Sequence, residues 1–209
     1  IQNCPKSVTI ATGLDAITQL LESYVSSESS PFTDNLALYG LRLAGRSLPK
    51  LVEDLKNMAA REEMAYAAYL SGITLANAGL GVIHGAASVL GGLRPIPHGV
   101  VCGTLLASVT EMIIKKLTAS ENPEKQIYIR KYAEAGNALS STKSISYMDD
   151  CNSLVVLLKG WIKDFNIPIL SEYAFTREEI IKCSKITGLK NTPVKLCSDD
   201  IEIVLLSRL

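Results

Sequence analysis

The stretch Gly79–His98, GLGVIHGAASVLGGLRPIPH, decides how this chain is read. It carries the only two histidines of the 209 residues, His84 and His98, 14 positions apart. Glycine and proline recur through it, so the backbone there bends tightly and often. Apolar residues flank both imidazoles, and imidazole is the commonest protein ligand for metals. Spacing alone leaves two readings open. Both histidines are core or loop residues satisfied by backbone carbonyls, or both line a cation site. The gap between them matches no short zinc pattern.

The flanking segments read as helices. Upstream, REEMAYAAYLSGITLANAGL starts a long helix near Ala59. Ala65, Ala67, Ala68, Gly72, Ala76 and Ala78 keep it narrow, which predicts a buried central helix. Gly79-Leu80-Gly81 predicts a stop or kink. His84 then lies on a helical segment over about 83–91, broken by Gly91-Gly92. Arg94-Pro95-Ile96-Pro97 predicts a rigid loop, with His98 opening a buried helix through VVCGTLLASVTEMII.

Further out, residues 1–8 read as a strand or loop, with helix beginning near Thr9–Thr12. Leu14, Ile17, Leu20, Leu21 and Tyr24 follow the helical period. Asp15 and Gln19, four apart, share one face, with Glu22 and Ser23 placed elsewhere. An aspartate near a helix start is ordinarily a dipole or capping residue. Ser30-Pro31 with Asp34 opens a second helix, and Pro49 ends it or opens the next segment. Residues 50–59 read as a solvated face. Downstream come a polar loop (118–126), an amphipathic helix (127–139), a loop (140–150) and a helix with the lone Trp161. A turn at Asn166–Pro168 precedes a Thr176/Glu179 capping box. Another turn spans Gly188–Pro193, and Ser198 caps a final helix, 199–209. Strand-like alternation is scarce, so the expected fold is all-α, a helical bundle-like domain.

Composition narrows the function classes. Hydrophobic residues are 47% and aromatics 6%, which favours tightly packed helices. Basic and acidic residues both number 21, so nothing steers the chain to nucleic acid or to a membrane surface. No apolar run reaches the roughly 18 residues of a membrane span, and no signal segment opens the chain. Five cysteines, with no C-x-x-C pair, read as reduced thiols of a cytoplasmic protein rather than a cysteine–zinc site.

The segments GLDAITQLLESYVS, SPFTDNLAL, REEMAYAAYLSGITLANAGLGVIHGAASVLGG, PIPHGVVCGTLL and NTPVKLCSDDIEIVL resemble the C-terminal helical domain of the iron-containing (group III) alcohol dehydrogenases. The resemblance covers about residues 5–206. It implies that 1–209 is the metal-binding half of a two-domain dehydroquinate synthase-like dehydrogenase. NAD(P) would be held by an N-terminal nucleotide-binding domain that these residues do not include, so the chain alone should lack turnover. It also implies a divalent metal, Fe2+ or Zn2+, held by an aspartate, a histidine four residues on and two further histidines. Those positions fall on Asp15, Gln19, His84 and His98. Gln19 departs from the family's histidine, and so does Ser88, four after His84. Gln19 ligates through oxygen, hydrogen-bonds a water or substrate, or leaves a poor site. Ser88 relays a proton or bonds its own backbone. The implied substrate is a small-molecule alcohol or aldehyde, and an exposed apolar face implies a homo-oligomer. The rival is a non-catalytic association module with a degraded metal site. A maleylacetate reductase or glycerol dehydrogenase relative fits the GLDAITQ and PIPHG segments less well.

Overall fold

Helix punctuation in the sequence maps closely onto the elements of the computed structural model, which describes residues 3–209. Nine α-helices and two short 3₁₀ turns make up the described residues, with no strand among them. The expectation for Ile1 and Gln2 lies outside those residues. Helix α1 (Lys6–Tyr24) begins earlier than the apolar periodicity suggested. Pro5, just before its first turn, needs no N–H there. Asp15 therefore lies mid-helix and caps nothing.

Helix α2 (Pro31–Glu53) starts as expected, with the Ser30 hydroxyl accepting the Thr33 N–H. Pro49 does not end it; the helix runs one further turn through the proline, and Leu51 is buried. Helix α3 (Met58–Ala78) is not the buried centre of the domain. One face, with Met64, Ala67, Leu70 and Thr74, packs inward against α1 and α2. Ala65, Ala68, Gly72 and Ala76 are exposed, beside exposed Tyr66 and Tyr69. The small residues there make a smooth outer face rather than a close contact. The central place belongs to α5 (His98–Thr118), whose Val101, Cys102, Leu105 and Leu106 are essentially inaccessible. It packs against α1, α4, α6, α7 and α9.

Gly79 ends α3 with φ of 69°, a left-handed conformation that glycine adopts without strain. Helix α4 (Val82–Leu93) follows and continues through Gly91-Gly92 rather than breaking there. Helices α6 (Gln126–Ser140) and α7 (Tyr147–Asp164) pair, with α7 starting inside the predicted loop because the Ser146 hydroxyl accepts the Asp149 N–H. The Thr176/Glu179 box opens α8 (Arg177–Ile186) as expected. Helix α9 (Ser198–Leu206) is capped one residue early: Asp200 accepts the Cys197 N–H at 3.0 Å. Among the described residues no single helix is long and apolar enough to cross a membrane, and α3 with α4 pass that test only as a pair bent by 100°.

Two long-range features aim the histidines. The 188–193 turn lies against the α3–α4 break, where the Leu80 carbonyl accepts the Asn191 N–H at 3.0 Å and the Thr192 hydroxyl accepts the Val82 N–H at 2.9 Å. Gly99, in the first turn of α5, meets the backbone of α1 directly: a Cβ there would be driven into the Ala11 carbonyl. This backbone contact places His98 within reach of Asp15, one turn along α1 from Ala11.

Candidate metal centre

Three separated segments, α1, α4 and the start of α5, bring Asp15, His84, His98 and Cys102 together. One potential ligand atom from each lies within 4.8 Å of all the others. His84 Nε2 stands 3.3 Å from Asp15 Oδ1, and His98 Nε2 stands 3.6 Å from the same oxygen. The two imidazole rings have centroids 5.3 Å apart, inclined by 45°. Cys102 Sγ is 3.7 Å from His84 Nε2.

Burial is uneven across the group. His84 is 3% exposed and Cys102 fully buried. The His98 side chain, by contrast, is 48% exposed, so the expectation of apolar surroundings holds for one imidazole only. The exposed ring lies at the helix start that Pro97 sets up, and it marks the side on which the group is open to solvent.

Glu22 is the residue that sequence reasoning misplaced. It lies seven positions after Asp15, nearly two full helical turns, and so on the same side of α1. The signal was present in the periodicity. Its carboxylate is 5% exposed and accepts the His84 Nδ1–H at 2.6 Å and the Ile83 N–H at 2.7 Å. It thus serves the N-terminus of α4, where anions are favoured. It also fixes the ring of His84 with Nε2 turned toward Asp15.

Gln19 shares the face of Asp15 as predicted. Its Oε1 accepts the hydroxyl of buried Ser71 on α3 at 2.7 Å. Ser88 donates to the His84 carbonyl at 2.8 Å, the backbone alternative among those left open. The rigid 94–97 loop is held by Arg94 to Glu179 at 2.5 Å, so the α8 capping box also steadies the approach to His98.

The electrostatics suit a cation. Two carboxylates, Asp15 and Glu22, face one buried imidazole. Burial opposes the charged form of His84, but hydrogen bonds to Asp15 and Glu22 outweigh it and raise its pKa to about 9. Burial likewise opposes the charge on Asp15, yet the His84 hydrogen bond and the charges of His98 and His84 bring its pKa below the usual value. Without a metal, the His84 proton is the cation that neutralises this pocket. A half-buried set of one carboxylate oxygen, two imidazole nitrogens and a sulfur fits a borderline divalent ion such as Zn2+ or Fe2+.

This gives the metal-free chain a defined pH response. The His84 pKa rises from 6.5 unfolded to about 9 folded, so its stabilising contribution is complete below about pH 6.5 and disappears as pH rises through 9. The expected loss is about 3 kcal/mol. Urea unfolding of chelator-treated protein at about pH 6 and about pH 9.5 should show it, and His84→Gln should flatten the difference.

Comparison with known proteins identifies what the chain is similar to. Residues 9–208 match the family model described as Fe-containing alcohol dehydrogenase family, C-terminal. The chain is 36% identical over 164 residues to 1,3-propanediol dehydrogenase of Citrobacter freundii, covering 78% of this chain and 40% of that protein. It is 37% identical over 175 residues to NAD-dependent methanol dehydrogenase of Bacillus methanolicus, covering 82% of this chain and 46% of that one. The crystal structure of a 1,3-propanediol oxidoreductase superposes over 100% of this chain and 53% of its own, with a TM-score of 0.89 and 28% identity. The chain thus spans less than half the length of these curated relatives. From the match over nearly all its residues, together with the all-helical fold, it follows that this chain belongs to the iron-containing alcohol dehydrogenase family, in that family's C-terminal region.

Proposed function

We propose that this chain is the metal-binding half of an NAD(P)-dependent enzyme that interconverts a small alcohol and its aldehyde or ketone. The observation that carries the reading is the convergence of Asp15, His84 and His98 from three segments onto one point. These side chains would hold a divalent ion, Fe2+ or Zn2+. Such an ion supplies Lewis acidity toward an alcohol or carbonyl oxygen. Asp15 contributes negative charge at the site, and Glu22 holds His84 by its Nδ1–H so that the Nε2 lone pair faces inward. The fully buried Cys102 closes one side of the group from solvent. The half-exposed ring of His98 leaves the other side open to substrate. The nicotinamide cofactor would be bound by the N-terminal part of a full-length enzyme, as the name of the NAD-dependent methanol dehydrogenase relative suggests.

Reconstitution with cobalt(II) as a spectroscopic stand-in tests this. One ion per chain is expected, with ethanol or 1,3-propanediol altering its visible spectrum. Glu22→Gln should weaken binding about 10–100-fold, the usual cost of removing the hydrogen-bond partner of a ligating histidine. Absence of stoichiometric binding would sink the metal reading. Binding that no alcohol perturbs would sink the alcohol assignment.

A second reading, association without catalysis, is favoured by one observation. The exposed aromatic side chains Phe32, Tyr39, Tyr66 and Tyr69 lie on α2 and α3. Self-association through them is the expected behaviour, and a clean monomer in sedimentation at high concentration would contradict it.

A further inference from the structure

Given the metal site read above, we propose that the Cys102 sulfur is its fourth protein ligand, completing a set of one carboxylate, two imidazoles and one thiolate. Four observations carry this. Cys102 follows His98 by four residues on α5, so the two side chains lie on one face a turn apart. Its Sγ is 3.7 Å from His84 Nε2 and belongs to the group of ligand atoms within 4.8 Å of one another. It is fully buried, so its sulfur meets the group rather than solvent; burial and the neighbouring Asp15 and Glu22 carboxylates keep it a thiol until a cation enters. Gln19, the other candidate for a fourth donor, has its Oε1 engaged by Ser71 of α3.

The remaining cysteines are engaged elsewhere in the fold. Cys151 donates to the Ile129 carbonyl at 3.3 Å, Cys197 lies against Asp200 at 3.1 Å, and Cys183 packs in the core. Cys4 stands by the first turn of α1, its carbonyl accepting from Arg61 at 3.3 Å. Cys102 alone among the described cysteines has its sulfur beside imidazole and carboxylate ligand atoms.

To hold an ion, Cys102 would lose its S–H proton and His84 its Nε2 proton, both to solvent, and the freed lone pairs would form the bonds to the ion while Glu22 keeps the Nδ1–H; no electron transfer would be involved. A thiolate in the set moves the site's preference away from oxygen-seeking ions such as Mg2+ and toward Zn2+ and Co2+.

Cobalt(II) added to the whole chain tests the assignment through a readout that needs no turnover. Thiolate ligation produces an intense near-ultraviolet sulfur-to-cobalt charge-transfer band. We expect that band in the parent and in Cys197→Ser. It should vanish in Cys102→Ser, with cobalt still bound but more than about tenfold more weakly, beyond the lower end of what losing a mere ligand-orienting partner costs. Circular dichroism should show that Cys102→Ser, a near-isosteric change, retains its helices; Cys102→Ala gives a second variant lacking sulfur. Stoichiometric cobalt without the band, or a band that survives in both variants, overturns the role of Cys102 while leaving the metal site standing. No cobalt bound by the parent overturns both.

Discussion

Replacing His84 with alanine should destabilise the metal-free chain by about 3–5 kcal/mol at neutral pH, the range for removing one partner of a buried charge pair. The size follows from what is left behind. Glu22 is 5% exposed and accepts the His84 Nδ1–H at 2.6 Å. Without the imidazolium it keeps only backbone donors, Ile83 N–H at 2.7 Å and a longer approach from residue 84. Asp15 loses the partner that its 3.3 Å contact provides. Urea unfolding of His84→Ala gives the number, and a double-mutant cycle identifies its origin. In the His84→Ala background, Glu22→Gln should recover part of the loss, because the carboxylate no longer lies buried without its counter-charge. A loss below about 1 kcal/mol, typical of an exposed pair, would show that these charges are solvated. The same variant should lose its stoichiometric metal.

The second large effect is expected from Gly99→Ala. The new Cβ meets the carbonyl carbon and oxygen of Ala11, backbone atoms that cannot rotate away. Relief requires α5 to lift off α1 at the point where Asp15 and His98 face each other. We expect a loss of about 3 kcal/mol, the upper part of the range for overpacking. Weaker cobalt binding should accompany it as the 3.6 Å Asp15–His98 approach opens. Gly91→Ala is the control: nothing lies within 4 Å of its Cβ, and it sits in helix α4. That change should stabilise by about 0.5–1 kcal/mol through helix propensity. If Gly99→Ala unfolds at the same denaturant concentration as the parent, the α1–α5 backbone contact is not what positions the site.

Much of the helix pattern was readable because its signals are local. Ser30-Pro31, Thr176 with Glu179, and the Gly79 stop act over one turn, and each appears where expected. Boundaries failed at two places. Pro49 continues α2, and Tyr147–Asp150 join α7 once Ser146 caps it. The face of α3 was misjudged because small residues are compatible both with close packing and with a bare outer surface.

By itself the sequence determined the helical class and the family, and through that family resemblance it singled out Asp15, His84 and His98, three of the four candidate ligands, which the fold brings together. Only the tertiary structure decided that Glu22 grips His84, that Gln19 turns to Ser71, and that Cys102 lies among the candidate ligand atoms. Those pairings span 52 or more residues or depend on how α5 crosses α1 and α4. Such crossings are set by backbone contacts such as Gly99 on Ala11, which no spacing along one helix encodes.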